Sequence, residues 1–299
     1  MAKGSFSLIS KGIFREILRK KQILERNPEY HLHYSNGKKK ALRKEANKHS
    51  VSLELEGYNT STTQGRKRKS FEQKRSQKNL EKAMEYGLNY YQGELTREFI
   101  EEMGRKMEPT INNNGYRTEK VRISGAMWSP PSEEKLEREM DLFLFENNSL
   151  DNIIERASHA HFHVARIHPF LDGNGRTARE VQNIILENGG FFPSIIKLSE
   201  RLEYIHLLDN AVNSYKIAEG NLSAEQLDKL QSLYDFFKKD NVTEKEREYY
   251  KGVAISLTKA KMAPEQHDFY NFLALKIRDV LREETEKLYG LTRRKYRSK

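Results

Sequence analysis

The run HPFLDGNGRTAR at residues 168–179 brings together, in one loop and the start of one helix, the groups needed to hold a polyphosphate. Gly173 and Gly175 let the backbone turn tightly, so that the first N–H groups of the next helix converge on one point where an anion can sit. Arg176 and Arg179 are three residues apart, share a helix face, and offer planar multi-donor groups to phosphate oxygens. Asp172 adds a hard oxygen ligand beside these cations, the kind Mg²⁺ takes together with phosphate oxygens and water. His168, whose side chain ordinarily titrates at about pH 6.5, is the natural general base. Phe170 reads as an anchor for the loop; Pro169 and Leu171 receive no chemistry. Singly these residues read as a cap, a turn and a solvated helix face. Their joint spacing is what points to a phosphate-handling site.

Just upstream, His159, His161 and His163 form an H-x-H-x-H run that invites a metal-hydrolase reading. On a helix, positions 159 and 163 share a face while 161 points elsewhere, and no Glu follows at zincin spacing, so the run by itself does not supply three ligands. His161 lies on an apolar stripe and reads as a packing residue.

The loop must be held by two helices. Leu150, Ile153, Ile154, Ala157, His161, Val164 and Ile167 recur at three-to-four spacing and predict a buried helix leading into it. A second helix is expected from about 175 to 188, where Gly189–Gly190 stops it. Further helices are expected over 7–26, 41–56, 77–91, 95–106 and 132–147, with several more in 198–295. Residues 59–75, polar and basic, read as an exposed linker. After the Asn112–Gly115 turn signal, Val121 and Ile123 alternate with polar residues over 116–125, which suits a short strand or hairpin.

The fold class is therefore mostly α, with only 7 prolines in 299 residues and one small β element. No window is apolar enough for a membrane span or signal peptide, and there is no cysteine, which excludes a disulfide framework and a thiolate nucleophile. The expectation is a cytoplasmic protein. The +10 net charge resides in the first 80 residues, which carry 20 Lys and Arg against 7 Asp and Glu. Basic runs such as 38–40 and 66–69 are read first as solvated surface, ahead of nucleic-acid contact.

Eight of the nine positions from His168 to Arg176 match the signature of the Fic family, and the chain resembles that family over roughly 77–215, including Tyr116-Arg117, Val121, Ile123, Gly125 and Pro130–Pro131. The resemblance implies a Fic fold, a helical bundle with a small β-hairpin flap, flanked by an N-terminal helical segment (1–76) and a C-terminal helical extension (216–299). It implies a protein adenylyltransferase that moves AMP from ATP, with Mg²⁺, onto a Ser, Thr or Tyr hydroxyl of a target protein. His168 would be the base and Asp172 the Mg²⁺ ligand. Gly173, Asn174, Gly175, Arg176 and Arg179 would bind the phosphates, with Tyr204 near the nucleotide. The flap residues Tyr116, Arg117, Val121 and Ile123 would clamp an extended target segment.

Ser52-Leu53-Glu54-Leu55-Glu56-Gly57 fits the family's inhibitory pattern of Ser or Thr, three residues, Glu, then Gly or Asn. The resemblance then implies an N-terminal inhibitory helix in which Glu56, flanked by Ser52 and Gly57, pairs with Arg179 and takes away its hold on the γ-phosphate. Alternative readings are AMP removal or a bifunctional enzyme, with Glu56 orienting a water, or a non-catalytic protein that binds nucleotide or nucleic acid. Self-modification is expected from the abundant surface hydroxyls. The target, and whether the chain forms a homodimer, are left open by the sequence.

Overall fold

A computed structural model of the chain describes residues 7–27, 30, 36–56, 60–123 and 125–297. Among these, eleven α-helices and no strand are formed: α1 (Lys11–Glu25), α2 (Asn36–Leu55), α3 (Thr63–Tyr90), α4 (Arg97–Met107), α5 (Glu133–Asn148), α6 (Ile153–Ile167), α7 (Asn174–Asn188), α8 (Arg201–Gly220), α9 (Ala224–Phe237), α10 (Glu244–Lys261) and α11 (Pro264–Arg297).

The helices start where side chains can satisfy their first N–H groups. Thr96 accepts from Phe99 N, Asn152 from Ile154 N and Glu155 N, and Ser223 and Thr243 each close a capping box. The central pair is α6 and α7, buried along almost their whole length. Around them α3, α4 and α5 pack on one side and α8, α11 and α1 on the other, with α2 lying across α3 and α7. One apolar core runs from Leu8 and Ile17 through Phe162 and Ile185 to Phe269, Leu273 and Leu288. A smaller cluster around Leu233 and Leu257 joins α9 and α10 to Leu142 of α5.

Two expectations are corrected. Residues from Thr63 onward are not a linker but the first turns of α3, with the Thr62 hydroxyl capping Gly65 N. Their lack of apolar periodicity hid a helix that is solvated on nearly every side in its first turns. The hairpin expected over 116–125 has no strand among its described residues. Its backbone bonds instead to a loop: Arg117 N donates to Pro169 O at 2.9 Å, and Ala126 N to Ile123 O. With no neighbouring strand edge to pair with, period-two alternation alone does not make a ladder.

Candidate active site

α6 ends in an unusual way. His168 is its C-cap and adopts φ 54°, ψ 58°, making it the one non-glycine with positive φ among the described residues. A left-handed cap costs a β-carbon-bearing residue energy and persists only where surroundings impose it. Here both backbone groups are held: His168 N donates to Val164 O at 3.1 Å, and the buried Arg117 guanidinium donates from Nε to His168 O at 2.9 Å. Arg117 also donates to the carbonyls of Glu119 (2.9 Å) and Pro131 (2.6 Å), so one side chain ties the 116–131 segment to the histidine loop.

The loop is stapled from within. Asn174 Oδ1 accepts from Phe170 N and its Nδ2 donates to Phe170 O, both at 2.9 Å. Phe170 is fully buried and its ring fills the space that any side chain at Gly104 would need. Gly173 then takes φ 80° as the N-cap of α7, a conformation where glycine is favoured. Asp172 lies at the rim with half of its side chain exposed, Oδ1 accepting from Gly173 N at 2.6 Å.

A cleft of about 630 Å³ opens over this turn, lined by His168, Asp172, Gly173, Asn174 and Gly175 on one wall and by Trp128, Arg201, Tyr204 and Asp209 on the other. His168 Nδ1 lies 3.2 Å from Ala165 O; because a carbonyl only accepts, the proton sits on Nδ1 and Nε2 is left as the acceptor. Burial lowers the affinity of His168 for a second proton, against opposing pulls from the Ala165 carbonyl and Glu54, so the imidazole is neutral at pH 7.

Arg179, one turn further along α7, does not line this cleft and is already engaged. Its Nη2 donates to Glu54 Oε1 at 2.6 Å and to Ser50 O at 3.1 Å, and its Nε donates to Ser50 Oγ at 2.7 Å. Burial works against the Glu54 charge, yet the charge and hydrogen bond of Arg179, with Arg176 and His168 beyond, hold its carboxyl below the usual range. A Cβ placed on Gly175 would stand 2.6 Å from Glu54 Oε1. The carboxylate of α2 thus sits at the N-terminal turn of α7, where an anion is favoured.

This corrects the register expected for α2. Glu56 lies past the last helical residue and is exposed, Ser52 Oγ turns back to Lys48 O, and Gly57 lies outside the described residues. Ser50 and Glu54, one turn apart on the face toward α7, are the pair that reaches Arg179. Ser50–Glu54 and Ser52–Glu56 share the same i, i+4 spacing, so the sequence does not distinguish them and only the packing of α2 on α7 does.

Other expected residues fall in two groups. Tyr204 lines the cleft with its hydroxyl 3.0 Å from His161 Nε2 and against Arg179, and Ile123 lines it from the opposite side. Arg176, in contrast, does not line it: its Nη1 donates to the buried Glu108 at 2.7 Å, and Nη2 reaches Asp172 at 3.5 Å. Tyr116 packs on Phe170 and donates to Arg97 O, and Val121 does not line the cleft. Glu108, which also holds Arg75 at 3.1 Å, had no signature in the sequence.

The histidine run divides as its helical geometry requires. His161 bonds Gln182 and Tyr204, and burial drives its pKa down to about 3. The rings of His159 and His163 lie tilted at 36° with centroids 4.2 Å apart and meet Glu146 of α5, a grouping whose donor atoms could hold a metal ion. The Lys261 ammonium already occupies the cation's place there, 2.7 Å from Glu146 Oε1 and fully buried.

A buried α-helical pair that aims amides, a carboxylate and a neutral imidazole into one cleft defines a phosphate-handling site on an all-helical scaffold. Residues 93–186 match the model of the Fic/DOC family. Over that stretch the chain is similar to the Fic/DOC family. Over 100 residues, 32% of this chain and 23% of the relative, it is 40% identical to "Protein adenylyltransferase Fic" of Nematostella vectensis. Over 51 residues, 17% and 10% respectively, it is 51% identical to "Protein adenylyltransferase fic-1" of Caenorhabditis elegans. The chain spans a quarter or less of the length of these curated relatives. In fold it is similar to a Fic domain containing signaling protein from Bacteroides thetaiotaomicron (TM-score 0.59, 19% identity, 92% of this chain and 97% of that one) and to Fic-1 (aa134–508) of C. elegans (TM-score 0.55, 18% identity, 95% and 73%). Among the described residues no helix is long and apolar enough to cross a membrane.

Proposed function

We propose that the chain transfers AMP from ATP to a Ser, Thr or Tyr hydroxyl of a target protein, and that α2 restrains it. The observation that carries this reading is the convergence of His168, the Asp172 carboxylate and the α7 N-terminal turn on one cleft, with Glu54 lodged at that turn. His168 Nε2 accepts the proton of the incoming hydroxyl, which then bonds to the α-phosphorus as pyrophosphate leaves. The amides at Gly173–Gly175 face the charge that builds on the phosphate oxygens. Asn174 acts through the loop it staples.

The donor set at Asp172 fits Mg²⁺, since one carboxylate oxygen is anchored by Gly173 N and the side chain is half exposed beside an anion turn. When bound, Mg²⁺ would neutralise charge on the phosphates. The pairing of Glu54 with Arg179 removes from that guanidinium its freedom to bind a terminal phosphate, and the carboxylate repels the triphosphate itself. Because Glu54 also faces the cleft, the same residue is placed to orient a water for AMP removal. The targets are proteins with accessible hydroxyls, the chain itself included. A cytoplasmic setting fits this reading.

The test is incubation of wild type, Glu54→Gly, Glu56→Gly and His168→Ala with α-labelled ATP, Mg²⁺ and a lysate. Glu54→Gly should label protein at least tenfold faster than wild type, Glu56→Gly no faster than wild type, and His168→Ala not detectably. Labelling that rises with Glu56→Gly but not with Glu54→Gly would return the brake to Glu56. Labelling undiminished by His168→Ala would end the proposal. Release of AMP from pre-labelled protein by wild type but not by Glu54→Gly would favour removal.

A further inference from the structure

Residues 63–82 at the start of α3 carry eight Lys and Arg against Glu72 and Glu81, a concentration the active site does not use. At 100° per residue, Lys67, Phe71, Lys74, Lys78 and Lys82 fall along one face, and all five are exposed. They form a ridge about 22 Å long at 1.5 Å per residue. None of the four lysines makes an ion pair among the described residues, whereas Arg75 on the neighbouring face is tied to Glu72 and Glu108. Glu81 and Glu85 lie on this face too and flank Lys82, so the stretch free of carboxylates spans Lys67 to Lys78.

Two properties choose the partner. From Lys67 to Lys78 the face carries lysines with no carboxylate between them, which matches a partner of uniform, regularly repeated negative charge rather than the mixed charges of a folded acidic surface. Phe71, 65% exposed and flanked by Lys67 and Lys74, is the one large apolar side chain on this ridge, too isolated to anchor a protein interface but suited to stack on one unpaired base. We infer that this face of α3 binds single-stranded nucleic acid, with Lys67, Lys74, Lys78 and Lys82 along its phosphates and Phe71 against a base. This departs from the reading of the basic runs as solvated surface, and it does not depend on the AMP-transfer proposal.

The test is anisotropy of a fluorescein-labelled 20-nucleotide oligothymidylate titrated with the full chain at 50–300 mM NaCl. A 20-base-pair duplex and a labelled polyglutamate peptide serve as alternative partners. The single strand should bind with affinity falling as salt rises. Lys74→Glu/Lys78→Glu/Lys82→Glu should lower affinity more than tenfold and reduce the log–log salt slope by about 2, at about 0.7 per phosphate contact. Lys→Gln at the same positions guards against misfolding from charge reversal. Phe71→Ala should lower single-strand affinity about tenfold and leave duplex affinity unchanged. Reversal of the exposed Lys238, Lys245 and Arg247, far along the chain, should do much less. The inference is overturned if that control reversal is as damaging as the ridge reversal, if Phe71→Ala has no effect, or if the acidic peptide binds as tightly as the oligonucleotide.

Discussion

His168 is the residue where backbone strain, hydrogen bonding and titration meet. Its left-handed cap is held by Arg117, which reaches three carbonyls, while the Ala165 carbonyl facing Nδ1 leaves the imidazole one tautomer. Burial holds its pKa below the ordinary imidazole value, so the base is already deprotonated at neutrality and is lost only as pH falls. In Glu54→Gly, transfer should rise with pH through an inflection below about 6.5 and then stay flat past pH 7. An inflection above neutrality in the pH–rate profile would be inconsistent with this. That His168, Asp172 and Gly173 share one cleft was legible from the sequence because they sit in one contiguous loop and turn, where spacing is geometry. Arg117 was legible as part of the right segment but not in its role, because its partners lie 14 and 51 residues away. Arg176 was read as a phosphate ligand, and only the fold reveals Glu108 behind it.

At the scale of elements, α2 is held on α7 by three polar contacts: Arg43 on Glu187, Ser50 on Arg179 and Glu54 on Arg179. Buried close to them is Glu180, whose pKa burial drives up to about 8, with Glu187 adding to the rise. A carboxyl whose folded pKa is raised supports the fold fully below its unfolded pKa of about 4.3. That support is lost progressively as pH climbs to about 8. Glu180→Gln should therefore flatten the fall in stability between pH 5 and 8, a difference on the order of a few kcal/mol, read by urea unfolding at each pH. Unchanged pH dependence would mean that Glu180 ionises freely. The helices themselves were largely legible, since α4 to α7 carry apolar stripes and caps. The first turns of α3 carry a cap at Thr62 but no apolar stripe, and the register of α2 turned on a two-residue difference that no local pattern resolves.

Across the described molecule, Leu8 just before α1, Ile17 within it, and Phe269, Tyr270 and Leu273 of α11 belong to the same apolar core as Phe162 of α6 and Phe170 of the signature. The buried Lys261–Glu146 pair fastens α10 to α5 with both side chains almost wholly out of water. Lys261→Met alone should cost roughly 3–5 kcal/mol, because it leaves Glu146 charged and unpaired, while adding Glu146→Gln should recover most of the loss. A single variant as stable as wild type in thermal or urea unfolding would show that the pair carries little. Glu54 has one more consequence, because it is part of the same polypeptide as the turn it covers. A tethered carboxylate keeps a constant local concentration however far the solution is diluted. Its occupancy of the turn is thus a first-order property of each molecule, insensitive to protein concentration and yielding only to a competing anion or to a force that lifts α2 away.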